Sequence, residues 1–241
     1  MKKFTISYTA VNIIVFLVIM VYFIAMVAYP FWNYDWKHVQ NVWDRWQGFN
    51  VGMIAFLSSV VAFNISKYNS EQQRIREFES VRPFLPQSLS KLIDYLELCS
   101  EYLKTKRSSD DLDPTGKYIS PPTLPDGYKN VFENCIRHAT ADVGNYLALI
   151  LNKLQVLDSR LNPNDRLIHI APTNNMIYTY NVAEIYFLVN RSFAIGRGEK
   201  DFELKEPSFE DFKSTYSMLR VNFSDDNLEL LNKTKRFLKN K

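Results

Sequence analysis

Cys135 and His138 are the pair of side chains whose types and spacing come nearest to a chemical site. They lie three residues apart in a helical pattern, so one helix face could offer a thiolate and an imidazole to a metal ion. A structural zinc site needs four ligands, and the other histidine of the C-terminal part, His169, lies outside the helical patterns. We therefore predict that Cys135 is a packed thiol, that His138 is partly exposed, and that the chain holds no metal.

No familiar catalytic or nucleotide-binding motif accompanies this pair. The sequence lacks a GxxxxGK[ST] phosphate loop, a GxGxxG turn, a GxSxG turn, an HExxH helix and an EF-hand loop. The acidic run at 110–113 lies among serines and prolines, where carboxylates are normally solvated. We predict that the chain has no catalytic residues, binds no cofactor and is not an enzyme.

Glu184 and Arg191 are the other charged residues of interest. They lie seven residues apart and so share one face of a predicted helix. This spacing allows a buried polar contact between them, for which a structural role is the simplest interpretation.

Charge and cysteine content limit the classes of partner and compartment. The net charge is only +3 and no dense basic cluster occurs, so direct sequence-specific binding of nucleic acid is not expected. The two cysteines, Cys99 and Cys135, lie in apolar helical patterns, which indicates free, buried thiols in a reducing compartment.

Two long apolar segments precede the C-terminal part of the chain that contains these residues, and they determine where that part is located. The first, at about residues 9–29, contains no charged side chain and is too long for the apolar core of a signal peptide. The second, at about residues 47–66, is also uncharged. Because about 20 apolar residues suffice for a helix to cross the hydrocarbon core, residues 1–68 are predicted to form a transmembrane hairpin.

Aromatic and basic residues predict how this hairpin lies in the membrane. Tryptophans flank or occupy the short loop expected from Asn33 to Arg45, where they would act as interfacial anchors: Trp32, Trp36, Trp43 and Trp46. Lysines precede the first span, and Lys67 and Arg74 follow the second. Since basic residues favour the cytoplasmic side, we expect a multi-pass protein of the bacterial inner membrane with both termini in the cytoplasm.

The second span carries a stripe of small residues at helical spacing. The members of this small-residue stripe are Gly48, Gly52, Ala55, Ser59 and Ala62. Such a stripe allows a neighbouring helix to approach closely, either the first span of the same hairpin or a span of another copy in a homo-oligomer. Neither span contains Asp, Glu, Lys or Arg, which argues against a proton relay, an ion filter or a transporter site.

Residues 69–241 are predicted to form a cytoplasmic helical domain. The second span should continue as a charged helix to about Arg82, before Pro83 and Pro86 interrupt it. A long loop is expected at about 106–128, then a helix at 129–161 and another at 174–197. Two shorter helices complete the domain, one begun by a Ser208–Asp211 capping pair and the last starting near Asp225. The predicted fold class is all-α: a two-helix transmembrane hairpin followed by a cytoplasmic helical bundle.

Four stretches of the sequence carry a resemblance. They are WQGFNVGMIAFLSSVVAFNISKYN (46–69), FLPQSLSKLIDY (84–95), LQVLDSRL (154–161) and AEIYFLVNRSFAIGR (183–197). Together they resemble a family of two-span bacterial membrane proteins that includes the membrane effectors paired with retron reverse transcriptases in antiphage defence. The resemblance implies a toxin that the reverse transcriptase and its RNA–DNA product hold inactive until infection releases it to damage the inner membrane.

The function expected from the sequence is therefore that of a non-enzymatic membrane effector in an abortive-infection system. Its partners would be the lipid bilayer, a protein such as a reverse transcriptase with its RNA–DNA product, and further copies of itself. The alternative is a membrane-anchored scaffold or sensor, which binds a protein partner without damaging the membrane.

Overall fold

Every regular element that the structure describes is helical. The computed structural model describes residues 2–33, 35–108, 120–162, 172–199, 205–221 and 225–239. Within these ranges there is no β-strand, so the predicted all-α class is confirmed. The chain divides into two compact units, Met1–Ser70 and Glu71–Lys241, and this boundary lies two residues after the one expected from the sequence.

The first unit is helical, and we refer to it as the hairpin, after the arrangement predicted for residues 1–68. Its elements are α1 (Lys2–Phe23), a π-helical turn (Ile24–Ala28), α2 (Tyr29–Asn33), α3 (Trp36–Arg45) and the beginning of α4 (Gln47–Val81). Two helical stretches, Asn12–Asn33 and Gln47–Thr105, contain apolar segments long enough to cross a membrane, judged by length and composition.

The segment that joins the two apolar stretches differs from the short loop expected from the sequence, because most of it forms α3. The carboxylate of Asp35 accepts a hydrogen bond from the backbone N–H of His38 at 3.0 Å. This N-cap provides a partner for one of the N–H groups that a helix leaves open at its start. A segment with balanced charges and few apolar residues is therefore helical rather than irregular.

The transition from α4 to α5 (Leu85–Ser108) is a single 3₁₀ turn, Arg82–Phe84. Pro83 lies in this turn, as the interruption predicted from the sequence requires. Pro86, in contrast, belongs to the first turn of α5, where its missing N–H costs no intrahelical hydrogen bond. Of the loop predicted at about 106–128, residues 106–108 belong to α5 and Tyr128 begins the next helix. Residues 109–119, including the acidic run, lie outside the described ranges, and residues 120–127 form no helix.

The second unit contains the end of α4 from Glu71 onwards, α5 and five further helices. These are α6 (Tyr128–His138), α7 (Ala141–Leu161), α8 (Pro172–Arg197), α9 (Phe209–Met218) and α10 (Asp225–Lys239). Helix α8 packs against α5, α7, α9 and α10. The core consists of apolar side chains from each of these helices, with the fully buried leucines of α5 and α7 among its largest members: Leu85, Leu89, Leu92, Leu96, Leu103, Leu147, Leu154 and Leu157. A central α8 leaves little of that helix exposed to solvent.

The helix predicted at 129–161 is two helices, α6 (Tyr128–His138) and α7 (Ala141–Leu161). Ala139 and Thr140 between them are extended, with ψ angles of 165° and 156°. The break allows α7 to return along α6, so that buried residues of both helices, such as Cys135 and Leu147, face one core. A continuous helix would have carried the two apolar stripes away from each other.

The two last helices, α9 (Phe209–Met218) and α10 (Asp225–Lys239), begin where the sequence predicts. Ser208 and Asp211 form a reciprocal capping box, with the Ser208 Oγ accepting from the Asp211 N–H at 3.2 Å. At the other end of α9, the N–H of Val221 donates to the Tyr216 carbonyl at 2.9 Å and Arg220 adopts a left-handed conformation, φ 54°. This is a Schellman C-cap with arginine in the position that glycine usually takes.

Candidate functional sites

A cluster of polar groups links the two sides of the hairpin at its connecting end. Pro30 has no N–H, so the α-helical hydrogen bond to the Met26 carbonyl cannot form, and the chain passes through the π-helical turn at this point. The indole N–H of Trp43 donates to the Met26 carbonyl at 3.1 Å instead. The side-chain amide of Asn50 donates to the Trp43 carbonyl at 3.2 Å, and its oxygen accepts from the Tyr22 hydroxyl at 3.0 Å. We refer to Tyr22, Met26, Trp43 and Asn50 as the hairpin polar cluster.

The hairpin polar cluster gives Asn50 a structural explanation. Only 4% of Asn50 is exposed, in a segment with no charged residue. A polar group without a partner in an apolar medium is costly, so each of these hydrogen bonds favours the closed hairpin over separated helices. The cluster fixes the register of the two apolar stretches at one end.

The four tryptophans predicted as interfacial anchors all lie at this connecting end. Trp32 is the most exposed, at 88%, while Trp36 and Trp46 are each more than half exposed. Trp43 is the least exposed, at 37%, because its indole reaches back to Met26. The structure therefore adds a positioning role to Trp43 that its place in the sequence did not indicate.

The small-residue stripe lies on the exposed side of α4. The less exposed positions of α4 within the hairpin define its inner face: Asn50, Met53, Leu57, Val60 and Asn64. Each member of the stripe is two residues from such a position, and since a helix turns by about 100° per residue, the stripe is about 200° away. All five stripe residues are exposed, and no atom of another segment lies within 4 Å of the Cβ position at Gly48 or Gly52. Within the described part of the chain, Gly48 and Gly52 have no close neighbour from another segment, and packing of the stripe against the first span or against another copy stays a prediction.

In the second unit, the charged part of α4 is bound to the end of α6. Arg74 Nη1 donates to the His138 carbonyl oxygen at 2.7 Å, and Glu77 Oε2 lies 2.8 Å from His138 Nδ1. A cation next to the last carbonyls of a helix is favoured by the helix dipole. We refer to Arg74, Glu77 and His138 as the α4–α6 clasp, and it gives His138 a partner other than the metal considered from its spacing to Cys135.

The transition from α4 to α5 is packed against the end of α8. A Cβ on Gly196 would lie 2.7 Å from Cγ of Pro86, and a Cβ on Gly198 would lie 2.7 Å from the Arg82 guanidinium carbon. Gly198 also has a φ of 77°, the left-handed conformation of a helix C-cap. Gly196 is therefore required by its contact with a proline ring, whereas Gly198 is required by its left-handed backbone conformation, since the end of the Arg82 side chain can move. The Arg82 guanidinium lies at the C-terminal, negative end of α8.

Glu184 and Arg191 both lie on α8. The carboxylate of Glu184 pairs with Lys153 of α7 at 2.7 Å and is only 4% exposed. The guanidinium of Arg191 lies over the Phe187 ring, 5.8 Å from its centroid. A direct Glu184–Arg191 contact remains a prediction. Lys153 could not be identified as a partner from helical spacing, because it lies 31 positions away on another helix.

The two cysteines are packed thiols in the core of the second unit. Both are free and fully buried, and burial raises the pKa of Cys135 to about 11 and that of Cys99 to about 12. Thiols with such pKa values carry little thiolate at neutral pH and are poor nucleophiles and metal ligands. Among the described residues no group of three or more metal-ligating side chains comes together; His169 lies outside them.

No protein-family model, curated protein or solved structure matches the chain. What its described residues offer is a unit with two uncharged apolar stretches, one polar cluster and one exposed stripe, together with a helical bundle held to the charged part of α4.

Proposed function

We propose that this chain is a membrane-anchored effector, which perturbs the bacterial inner membrane and is restrained by a cytoplasmic partner. The observation that carries the proposal is α4. One uninterrupted helix, Gln47–Val81, includes an uncharged apolar stretch and the charged segment of the α4–α6 clasp. A change in the bundle that releases Arg74 or Glu77 acts on the same helix that crosses the membrane.

The proposed location is the inner membrane, with both termini in the cytoplasm. Outside the inner face, the hairpin exposes large apolar side chains, among them Phe16, Val21, Val51 and Phe63. Exposure of a large apolar surface to water is unfavourable, and a lipid environment removes that exposure. The placement of Lys2, Lys3, Lys67 and Arg74 supports the orientation.

Membrane damage in this proposal requires several copies. Two helices enclose no pore, so the hairpins must associate with each other. The small-residue stripe supports this step, since each hairpin uses the inner face of α4 for its own closure and keeps the stripe open on the other side.

The restraining partner is proposed from the resemblance to retron membrane effectors. It would be a reverse transcriptase with its RNA–DNA product, bound to the helical bundle, and its release during infection would allow the hairpins to associate. The chain would then act as the toxic arm of an abortive-infection system. A scaffold that only anchors a protein partner is the alternative, and it differs in needing no particular spans.

The test is to express the full chain in bacteria and measure membrane potential and the entry of an impermeant dye. We expect depolarisation with the full chain, and its loss with Ser59→Leu, which blocks the stripe. Ser58→Leu is the matched control: Ser58 is also exposed and its hydroxyl also donates to a carbonyl four residues earlier, but it lies outside the stripe.

Two results would contradict the proposal that the chain is a membrane effector. In one, Ser58→Leu and Ser59→Leu have equal effects at equal abundance. In the other, a chain with unrelated spans retains full protection in phage challenge with the neighbouring genes present, and the scaffold is then the correct description.

A further inference from the structure

A pocket of about 300 Å³ opens between α7 and α8. Leu149 and Val156 of α7 and Ile185 of α8 supply apolar walls, and Lys153, Arg160 and Glu184 supply the charged groups. The volume lies at the lower end of the range for small-molecule sites. Leu149 and Val156 are each about two-fifths exposed, so the walls are accessible from solvent.

Glu184 fixes the position of a cation in this pocket. Its carboxylate is 4% exposed, and a buried charge of this kind is tolerated only when it is paired. Lys153 Nζ supplies the pair at 2.7 Å, while 28% of the Lys153 side chain remains exposed. An ammonium group has three donors, and Glu184 occupies one of them. Lys153 is thus held in place by Glu184 with donors left for a ligand.

Arg160 adds a second cation to the same side of the pocket. It follows Lys153 by seven residues and therefore shares its face of α7. Within the described part of the chain, no carboxylate forms an ion pair with Arg160. Lys153 and Arg160 each carry one positive charge and Glu184 carries one negative charge, so the pocket has a net charge of about +1. The planar guanidinium of Arg160 can bind a carboxylate or phosphate group through two parallel hydrogen bonds.

We propose that this α7–α8 pocket binds a small organic oxyanion with an apolar body, whose charged group contacts Lys153 and Arg160 and whose body contacts Leu149, Val156 and Ile185. The shared chemistry is the oxyanion, and it comes from either a carboxylate or a phosphate monoester. The site is independent of the membrane effector function proposed above, because none of its residues belongs to the hairpin or to the α4–α6 clasp.

The test is isothermal titration calorimetry on the full chain in nanodiscs of zwitterionic lipid, with empty nanodiscs as the blank. The probes are hexanoate and hexyl phosphate, which separate the two sources of the oxyanion. Acetate and inorganic phosphate test the charged group alone, and hexanol tests the apolar body alone. We expect one bound molecule of hexanoate or hexyl phosphate per chain, and binding at least about tenfold weaker for the three partial probes.

Arg160→Gln should weaken this binding by about tenfold or more, as expected when a charge-assisted hydrogen bond is removed. Arg137→Gln is the matched control, because it removes the same charge from an exposed arginine of α6 outside the pocket. The proposal is overturned if neither hexanoate nor hexyl phosphate binds at millimolar concentration, if hexanol binds equally well, or if Arg160→Gln and Arg137→Gln bind alike.

Discussion

Gly196 is the residue at which a single added carbon tests the contact between α8 and the start of α5. A Cβ at this position would lie 2.7 Å from Cγ and 2.9 Å from Cδ of Pro86. Carbon atoms in favourable contact are about 3.5–4.0 Å apart, so the overlap is close to 1 Å. The proline ring is closed onto its own backbone and cannot rotate away. The backbone of α8 or of α5 must therefore move.

Two effects of opposite sign set the expected change for Gly196→Ala. Alanine in a helix is favoured over glycine by about 0.5–1 kcal/mol, and overpacking of this kind costs about 1–3 kcal/mol. We expect a net loss of about 1–2 kcal/mol in the free energy of unfolding. Gly144→Ala is the matched control: its Cβ would meet the Ile136 carbonyl oxygen at 3.4 Å, an ordinary contact, so only the gain of about 0.5–1 kcal/mol should appear.

The assay uses the two buried cysteines as reporters. Cys99 and Cys135 both belong to the second unit, so a maleimide dye that fluoresces on reaction with thiols reports the unfolding of that unit in the purified full chain. For a unit of this size 1 kcal/mol corresponds to about 2–4 °C in the thermal midpoint. Gly196→Ala should lower the midpoint by several degrees and Gly144→Ala should raise it. A midpoint for Gly196→Ala at or above that of the unmodified chain would refute the reasoning.

Three further changes have expected outcomes. Arg220→Gly should raise the thermal midpoint, because glycine adopts the left-handed backbone conformation at φ 54° without the steric cost of about 1 kcal/mol that arginine has there. An unchanged midpoint would contradict this. The hydrogen bond from Ser208 lowers the pKa of Asp211, so the capping box stabilises the fold above the unfolded-state pKa of Asp211, and this stabilisation is lost as pH falls through the lower folded-state pKa. Ser208→Ala should therefore reduce the free energy of unfolding at neutral pH by about 1 kcal/mol. It should also make the thermal midpoint fall less on acidification, measured at a series of pH values. Asn50→Leu removes two hydrogen bonds of the hairpin polar cluster and should destabilise the hairpin by about 1 kcal/mol, read from tryptophan fluorescence; an unaltered unfolding curve would show that these bonds contribute nothing.

The sequence predicts those parts of this fold that local patterns determine. The apolar stretches, the capping box at Ser208 and the start of the last helix near Asp225 are local, and the structure has them. The break at Ala139 and Thr140 was missed because neither residue is a helix breaker. The two helices are separated because their apolar faces are buried in one core, and neither segment alone shows that shared burial.

In the candidate sites, too, the residues can be recognised from local sequence patterns, whereas their partners depend on contacts between distant segments. The sequence shows Asn50 as a polar residue within an apolar span, but its partners Tyr22 and Trp43 depend on how the first unit folds. Gly198, directly after the last residue of α8, could have been recognised as a helix C-cap residue. The contact of Gly196 with Pro86 could not, because about 110 residues of chain separate them.

The central position of α8 has a consequence for how the protein is made. Helix α5 emerges from the ribosome well before α8, the helix that covers its core face. At about 5–20 residues per second, the roughly ninety residues from the end of α5 to the end of α8 take several seconds to synthesise. During that interval the leucines of α5 lack the partners that α8 supplies, so the second unit cannot complete its core until α8 has been made.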